Sequence, residues 1–349
     1  MTLAGGPAPP RRTEVAPGIF LFQTEPYGDV GLDGNSIAIV SNDGVLVFDA
    51  NGTPAAALAV LAQIRRITRR PVRYLVYSHW HWDHWYGAQV YADSFPGLVI
   101  ISHEKTRALM SGPAIAFNQP ALDRQLPDHI REVESRLEKA KAMQAPPSEV
   151  ARLSRHLASD EFFLAQKRSA RHPLATLTFT DSVTLQLGER EIHVLHIDRG
   201  VTPGDAFLFL PRENLVVSGD QLINPITYAL FCYPSGWIRS LEWIDALDAT
   251  VLIPGHGAAL RDENLLHATL DLLRRERELA REQKSRGAKP EAAKKAILDD
   301  QRILGLRDSI TASDSTRYDE FGTYLVDWFV RRVYAEDDGA LSDSIPTRP

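Results

Sequence analysis

Short apolar runs at residues 18–24, 36–41 and 45–49 read as strands, and Asn42-Asp43-Gly44 between the last two is a hairpin signal. The spacing then predicts a helix over residues 53–69, with Thr53 as N-cap, Pro54 in the first position and a basic last turn. An apolar strand follows from Val72 to Ser78, and another over residues 98–102. A hairpin followed by alternating strand and helix predicts a mixed sheet with helices outside it.

Between about residues 120 and 171 the pattern changes. Charged segments rich in Ala and Leu, 128–144 and 148–168, flank Ala145-Pro146-Pro147, where the two prolines break the helix. This reads as an inserted helical hairpin, and its Phe162-Phe163 pair suits a surface decoration, a lid or a dimer arm alike. The β-rich pattern resumes over 177–210, and Asn214-Leu215-Val216-Val217 leads into Ser218-Gly219-Asp220. Residues 224–237 are aromatic and loop-like; Tyr228, Tyr233 and Trp237 are candidates for a substrate wall or for packing beneath the loop. Segments 263–284, 290–301 and 318–334 read as helices, the last with Phe321, Leu325, Trp328, Phe329 and Val333 at helical spacing. The expected division is a flexible arm over 1–13, a main domain over 14–260 with the insertion at about 120–171, a helical extension over 261–336 and a tail over 337–349.

The densest chemistry lies where the Val72–Ser78 run ends, in His79-Trp80-His81-Trp82-Asp83-His84. Neutral imidazole and carboxylate are the side chains a borderline divalent ion such as zinc prefers. On a loop at a strand end they can converge on one or two ions; along a continued strand alternate side chains would face opposite ways. His103 offers a further possible ligand or a helix-start histidine, and His193 and His196 read as strand residues that face solvent or pack.

These residues resemble the metallo-β-lactamase-fold hydrolase superfamily, whose first metal motif is His-x-His-x-Asp-His. Asp49, after Val45-Leu46-Val47-Phe48, matches the early motif aspartate, and Thr202-Pro203-Gly204-Asp205 falls at the third motif. Ser218-Gly219-Asp220 matches the motif of the metal-bridging aspartate, and Ile253-Pro254-Gly255-His256-Gly257 the last motif. The resemblance implies a four-layer αβ/βα sandwich, here with a helical insertion and a C-terminal helical extension. It implies metal ligation by His79, His81, Asp83, His84, Asp220 and His256, with Asp49 orienting a ligand histidine. One position departs from it: where the family places a third histidine, this chain has Val201, which cannot coordinate. The first site keeps only His79 and His81, while Asp83, His84 and His256 form a complete second set with Asp220 as a bridge. The expectation is one tightly bound zinc and a second ion weak or absent. Asp198 and Arg199 lie near the gap, and the Arg199 guanidinium could supply an anion-binding group there.

The implied activity is hydrolysis of a small ester, lactone, thioester or β-lactam-like amide by a metal-activated water, with Asp83 or Asp220 orienting that water or taking its proton. A non-catalytic binding protein and an iron-dependent oxygenase are the other readings; loss of a first-site histidine weighs against the oxygenase. A formal charge of −6 without a basic run argues against nucleic-acid partners. The single cysteine, Cys232, excludes an intramolecular disulfide framework. Neither an apolar signal core nor a ~20-residue apolar span is visible, so a cytoplasmic protein without membrane contact is expected. The helical additions offer a surface for a homodimer.

Overall fold

The computed structural model describes residues 8, 10–24 and 33–345. Most of the arm read over residues 1–13 lies outside them. The chain divides into two compact units, residues 1–101 with 107–177, and residues 102–106 with 178–349.

The first unit opens with β1 (Arg11–Ala16), β2 (Ile19–Gln23), β3 (Ser36–Ser41) and β4 (Gly44–Phe48), joined as antiparallel neighbours. Helix α1 (Pro54–Ile67) crosses over to β5 (Val72–Val76), and α2 (Gln89–Ser94) to β6 (Val99–His103); β4, β5 and β6 run parallel. Residues 45–48 are fully buried, which explains their unbroken apolar run in a strand covered on both faces. α1 begins as its sequence requires: Thr53 Oγ1 accepts from Ala56 N–H at 3.2 Å, Pro54 follows, and Ala57, Val60, Leu61 and Ile64 form the buried stripe.

Residues 11–13 differ from the expected arm. They pair with β2, Arg11 opposite Gln23 and Thr13 opposite Leu21, although residues 11–14 are exposed. A charged edge strand is held by its backbone ladder, so no apolar pattern announces it.

Next come α3 (Glu104–Met110), α4 (Pro113–Pro120), a π-helical turn (Ala121–Gln125), α5 (Leu126–Ala142) and α6 (Pro147–Ser169). α5 and α6 are the hairpin read from the sequence, with a small core of their own in Leu137, Ala140 and Leu153. The end of α6 is stitched to its unit: Ala55 N–H at the start of α1 donates to Gln166 Oε1 at 2.9 Å, and Arg168 Nη2 donates to the Leu122 carbonyl at 2.9 Å. β7 (Leu177–Phe179) ends the seven-stranded order β1-β2-β3-β4-β5-β6-β7.

The second unit contains β8 (Ser182–Leu187), β9 (Arg190–Leu195), β10 (Phe207–Leu210), β11 (Leu215–Gly219), α7 (Pro234–Asp245) and β12 (Val251–Pro254), in the sheet order β12-β11-β10-β9-β8. β11 and β12 are parallel, with α7 between them in sequence. Then follow α8 (Asn264–Ser285), α9 (Pro290–Leu298), α10 (Gln301–Ile310), α11 (Tyr318–Glu320), a π-helical stretch (Phe321–Asp327) and α12 (Trp328–Asp337). Phe321, Leu325, Phe329 and Val333 join one core cluster with Trp237, Leu241, Leu270 and Leu273. The helix read over 290–301 ends at Leu298 and a further helix begins at Gln301: the Asp300 carboxylate accepts from Arg302 N–H (3.0 Å) and Ile303 N–H (3.1 Å), so it caps α10.

The tail, as far as it is described, is tethered. Tyr233 Oη donates to the Ser342 carbonyl at 2.6 Å, and Asp343 accepts from Lys105 Nζ at 2.6 Å and Arg199 Nη1 at 3.3 Å. Among the described residues, no helix is long and apolar enough to cross a membrane.

Candidate metal centre

Asp49, His79 and His103 follow or end the parallel strands β4, β5 and β6, while Asp220 and His256 follow β11 and β12. Carboxyl ends of parallel strands release the chain into loops at the sheet edge, which makes them the usual place for ligand sites.

In the first unit, β5 stops at Val76 and a single 3₁₀ turn forms over Trp82–His84. That turn does what a strand could not: it brings the His79 ring centroid to 4.4 Å from both His81 and His84. His84 Nε2 lies 3.3 Å from Asp83 Oδ2. His79, Asp83 and His84 are buried.

Behind the imidazoles lies Asp49. Its carboxylate accepts from Ser78 N–H, from Ser78 Oγ–H and from His84 Nδ1, each at 2.7 Å. With the Ser78 hydroxyl proton committed to Asp49, Ser78 Oγ accepts from His79 Nδ1 at 2.9 Å. One carboxylate thus keeps the protons of two imidazoles on Nδ1 and leaves Nε2 of each as the candidate ligand atom. Burial raises the Asp49 pKa, and the nearby His84 and the Ser78 bonds oppose that rise. Asp49 occupies the left-handed region at φ 62°, a conformation that aspartate tolerates better than most residues. The loop over 33–35 closes the other side, Gly34 N–H donating to the Asp83 carbonyl at 3.1 Å. A Cβ on Gly34 would lie 2.5 Å from the His84 ring, so the backbone can approach only as glycine.

The tryptophans among the ligands are packing. Trp80, Trp85 and Tyr86 are buried, and Trp85 Nε1 donates to the Trp80 carbonyl at 2.9 Å. Helix α6 reaches this turn, with the Phe163 ring 5.5 Å from Trp82. Its most unusual contact is Lys167, whose Nζ lies 3.4 Å from the centroid of the Trp82 ring.

In the second unit Asp220 leaves β11 with its carboxylate Oδ1 3.5 Å from His256 Nε2. A Cβ on Gly255 would fall 2.0 Å from that same Oδ1, which explains the glycine before His256. The loop after β9 wraps around Asp205: Gly200 N–H, Thr202 N–H and Thr202 Oγ–H all donate to its carboxylate, the last at 2.6 Å. Burial pushes the Asp205 carboxyl up to about 7. Val201 is 1% exposed and belongs to the hydrophobic core cluster, so its isopropyl group is packing.

Three of the candidate residues are held by contacts within the second unit. Trp237 is fully buried in α7, its Nε1 donating to the Gln221 carbonyl at 3.0 Å, and forms core rather than substrate wall. Tyr233 is 2% exposed, with the Arg199 and Arg332 guanidinium carbons 4.6 and 5.2 Å from its ring centroid. Arg199 itself is engaged by that ring and by Asp343. The cause is α7, which begins at Pro234 and turns a stretch read as loop into a packed helix. Tyr228 is half-buried and donates to Glu320.

His103, His193 and His196, the other histidines near strand ends or in strands, make bonds of their own. His103 accepts from Lys105 N–H at Nδ1 (3.3 Å) and donates from Nε2 to the Thr180 carbonyl (2.9 Å), which leaves it no ligand atom. Burial, with His196 beside it, lowers its pKa to about 4. His196 Nδ1 bonds the Asp205 carbonyl at 2.8 Å, and His193 Nε2 bonds Glu191 at 2.6 Å near the surface.

Sequence reasoning gave no role to Ser78, Gly34, Asp205 or Lys167. Asp205 was visible within Thr-Pro-Gly-Asp; nothing in the charged pattern of α6 distinguishes Lys167 from its neighbours.

Three imidazoles and a buried carboxylate, with two ring tautomers set from behind, fit a zinc-type ion in their donor chemistry. The family model described as the metallo-beta-lactamase superfamily matches residues 29–256. The chain belongs to that superfamily, a family of hydrolases that typically bind metal ions, and its fold is the α/β metallo-β-lactamase sandwich with a helical C-terminal region. A linear primary-alkylsulfatase from Pseudomonas sp. (strain ATCC 19151) is 23% identical over 247 residues, 68% of this chain and 44% of that protein. The chain therefore spans less than half the length of this relative. A metallo-beta-lactamase from Pontibacter korlensis superposes with a TM-score of 0.53 at 15% identity, covering 76% of this chain and 99% of the other. The FIM-1 metallo-beta-lactamase from Pseudomonas aeruginosa, in its mono-zinc form, gives 0.53 at 12% identity over 77% and 96%.

Proposed function

We propose that this chain is a zinc-dependent hydrolase of a small ester, lactone, thioester or β-lactam-like amide. Its proposed ligands are His79, His81, Asp83, His84, Asp220 and His256. The observation that carries the reading is the Asp49–Ser78 relay, because holding two imidazole protons on Nδ1 prepares two Nε2 atoms for an ion and serves no packing need. Asp83, His84 and His256 make up the complete proposed set, with Asp220 as the proposed bridge, and one zinc is held tightly. The packed Val201 supports a weak or absent second ion.

A zinc bound there supplies Lewis acidity and lowers the pKa of water toward neutrality. Asp83 and Asp220 are the carboxylates that would orient the attacking water and receive its proton. Asp49 stays behind His84 and does not touch substrate. Tyr228 remains the aromatic candidate for contact with it. The likeness to an alkylsulfatase supports a second substrate reading, a sulfate ester of an aliphatic alcohol.

Elemental analysis tests this on protein purified without added metal, and again after zinc titration and desalting. One retained equivalent, lost in Asp83→Ala, is the expected result and leads to hydrolysis assays on lactones, esters, β-lactams and alkyl sulfates. Two equivalents would mean that another ligand replaces the absent histidine. No retained zinc in either preparation rejects the metallo-hydrolase.

A further inference from the structure

Lys167 is a buried cation beside the ligand turn. It is 4% exposed, and its Nζ has no hydrogen-bond acceptor among the described residues. The ammonium instead lies 3.4 Å from the centroid of the Trp82 ring, 3.8 Å from that of Tyr86 and 5.8 Å from that of Phe163. Trp82 stands between His81 and Asp83, so this ring belongs to the turn that carries the ligands. Phe163 packs edge-on against Trp82, and Trp82 lies 6.4 Å from Tyr86, which completes an aromatic box.

Burying a cation without an acceptor is costly, and an apolar side chain of the same length would fill the space without that cost. Its attraction to aromatic faces strengthens when water is excluded. Burial drives the Lys167 pKa well below its ordinary value, while the carboxylates of Asp83 and Asp33 oppose the shift. The helix that bears it is anchored separately through Gln166 and Arg168, next to Lys167 in the chain. One end of the contact is therefore frame, and the other is the 3₁₀ turn.

We propose that Lys167 is a positioning residue, its ammonium pinning the face of Trp82 to α6 and so fixing the orientation of His81, Asp83 and His84. The inserted hairpin then acts as a buttress of the metal loop. This role rests on the metallo-hydrolase reading for its purpose, though not for its measurement.

The test is hydrogen exchange on the full-length protein, with and without zinc, for wild type, Lys167→Met and Trp82→Leu. Lys167→Met is expected to accelerate exchange of amides 79–87 at least tenfold while β5 and α1 keep wild-type protection and the metal-free melting temperature holds. Trp82→Leu should give the same acceleration, and the double variant no more than either single one. Zinc affinity by chelator competition should fall about tenfold in step. Unchanged exchange over 79–87 in Lys167→Met overturns the proposal, as does a loss spread equally through β5 and α1. Should Lys167→Met not fold, Trp82→Phe against Trp82→Leu replaces it: the ring-retaining variant must keep wild-type protection, and loss in both overturns the clamp. If wild type binds no zinc, the hydrolase reading falls while the exchange data still decide the clamp.

Discussion

Asp49→Asn isolates one charge in the relay behind the ligands. Asparagine has nearly the same shape and tolerates the left-handed φ of 62°, so the backbone need not move. The native carboxylate faces donors only: Ser78 N–H at one oxygen, Ser78 Oγ–H and His84 Nδ1 at the other. An amide cannot face three donors. With its NH₂ at the second position, it opposes His84 Nδ1–H and turns the Ser78 hydroxyl toward His79 Nδ1. That would move the His79 proton to Nε2, the atom a metal needs. Turned the other way, its NH₂ meets the Ser78 backbone N–H. Loss of such an outer partner weakens metal binding by roughly 10–100-fold, or about 1.4–2.8 kcal/mol. Zinc affinity by chelator competition measures this, with the metal-free melting curve as the control for folding. Wild-type affinity in a folded Asp49→Asn protein would refute the claim that the relay sets the tautomers.

Glu276 in α8 is fully buried and neither carboxyl oxygen has a hydrogen-bond partner among the described residues; burial pushes its pKa up to about 8. The folded state thus holds a proton that the unfolded chain releases near its ordinary value. Stability from this group is complete below about pH 4.5 and is lost as pH rises toward 8, by up to about 4 kcal/mol. Glu276→Gln should remove that part of the slope, so the stability difference between urea melts at pH 6 and 9 should be smaller in the variant than in wild type. Val201→His places an imidazole in a core cluster; it should cost roughly 1–3 kcal/mol in urea unfolding and add no zinc equivalent on elemental analysis. Trp237→Ala should destabilise by about 3–5 kcal/mol through a core cavity, seen as a lower melting temperature, whereas a wall residue would change KM with little loss of stability.

The amino-acid sequence by itself determined the proposed ligand list and much of the scaffold. Six residues after an apolar strand can hold that many imidazoles and carboxylates for few purposes, and local signals such as Thr53-Pro54 and Asn42-Asp43-Gly44 act over a few residues. It also showed the valine at a motif histidine, because a side chain's lack of a donor atom needs no coordinates. Tertiary structure decided what lies behind and around those ligands. Asp49 reaches Ser78 and His84 across 29 and 35 residues of sequence, and Lys167 reaches Trp82 from a helix whose charged pattern gives no hint of it. Trp237 and Tyr233 read equally as wall or as packing, and α7 and the tethered tail decided their neighbours and those of Arg199. A side chain's chemistry is local and readable in one dimension. Its burial, tautomer and partners depend on which distant segments the fold brings beside it.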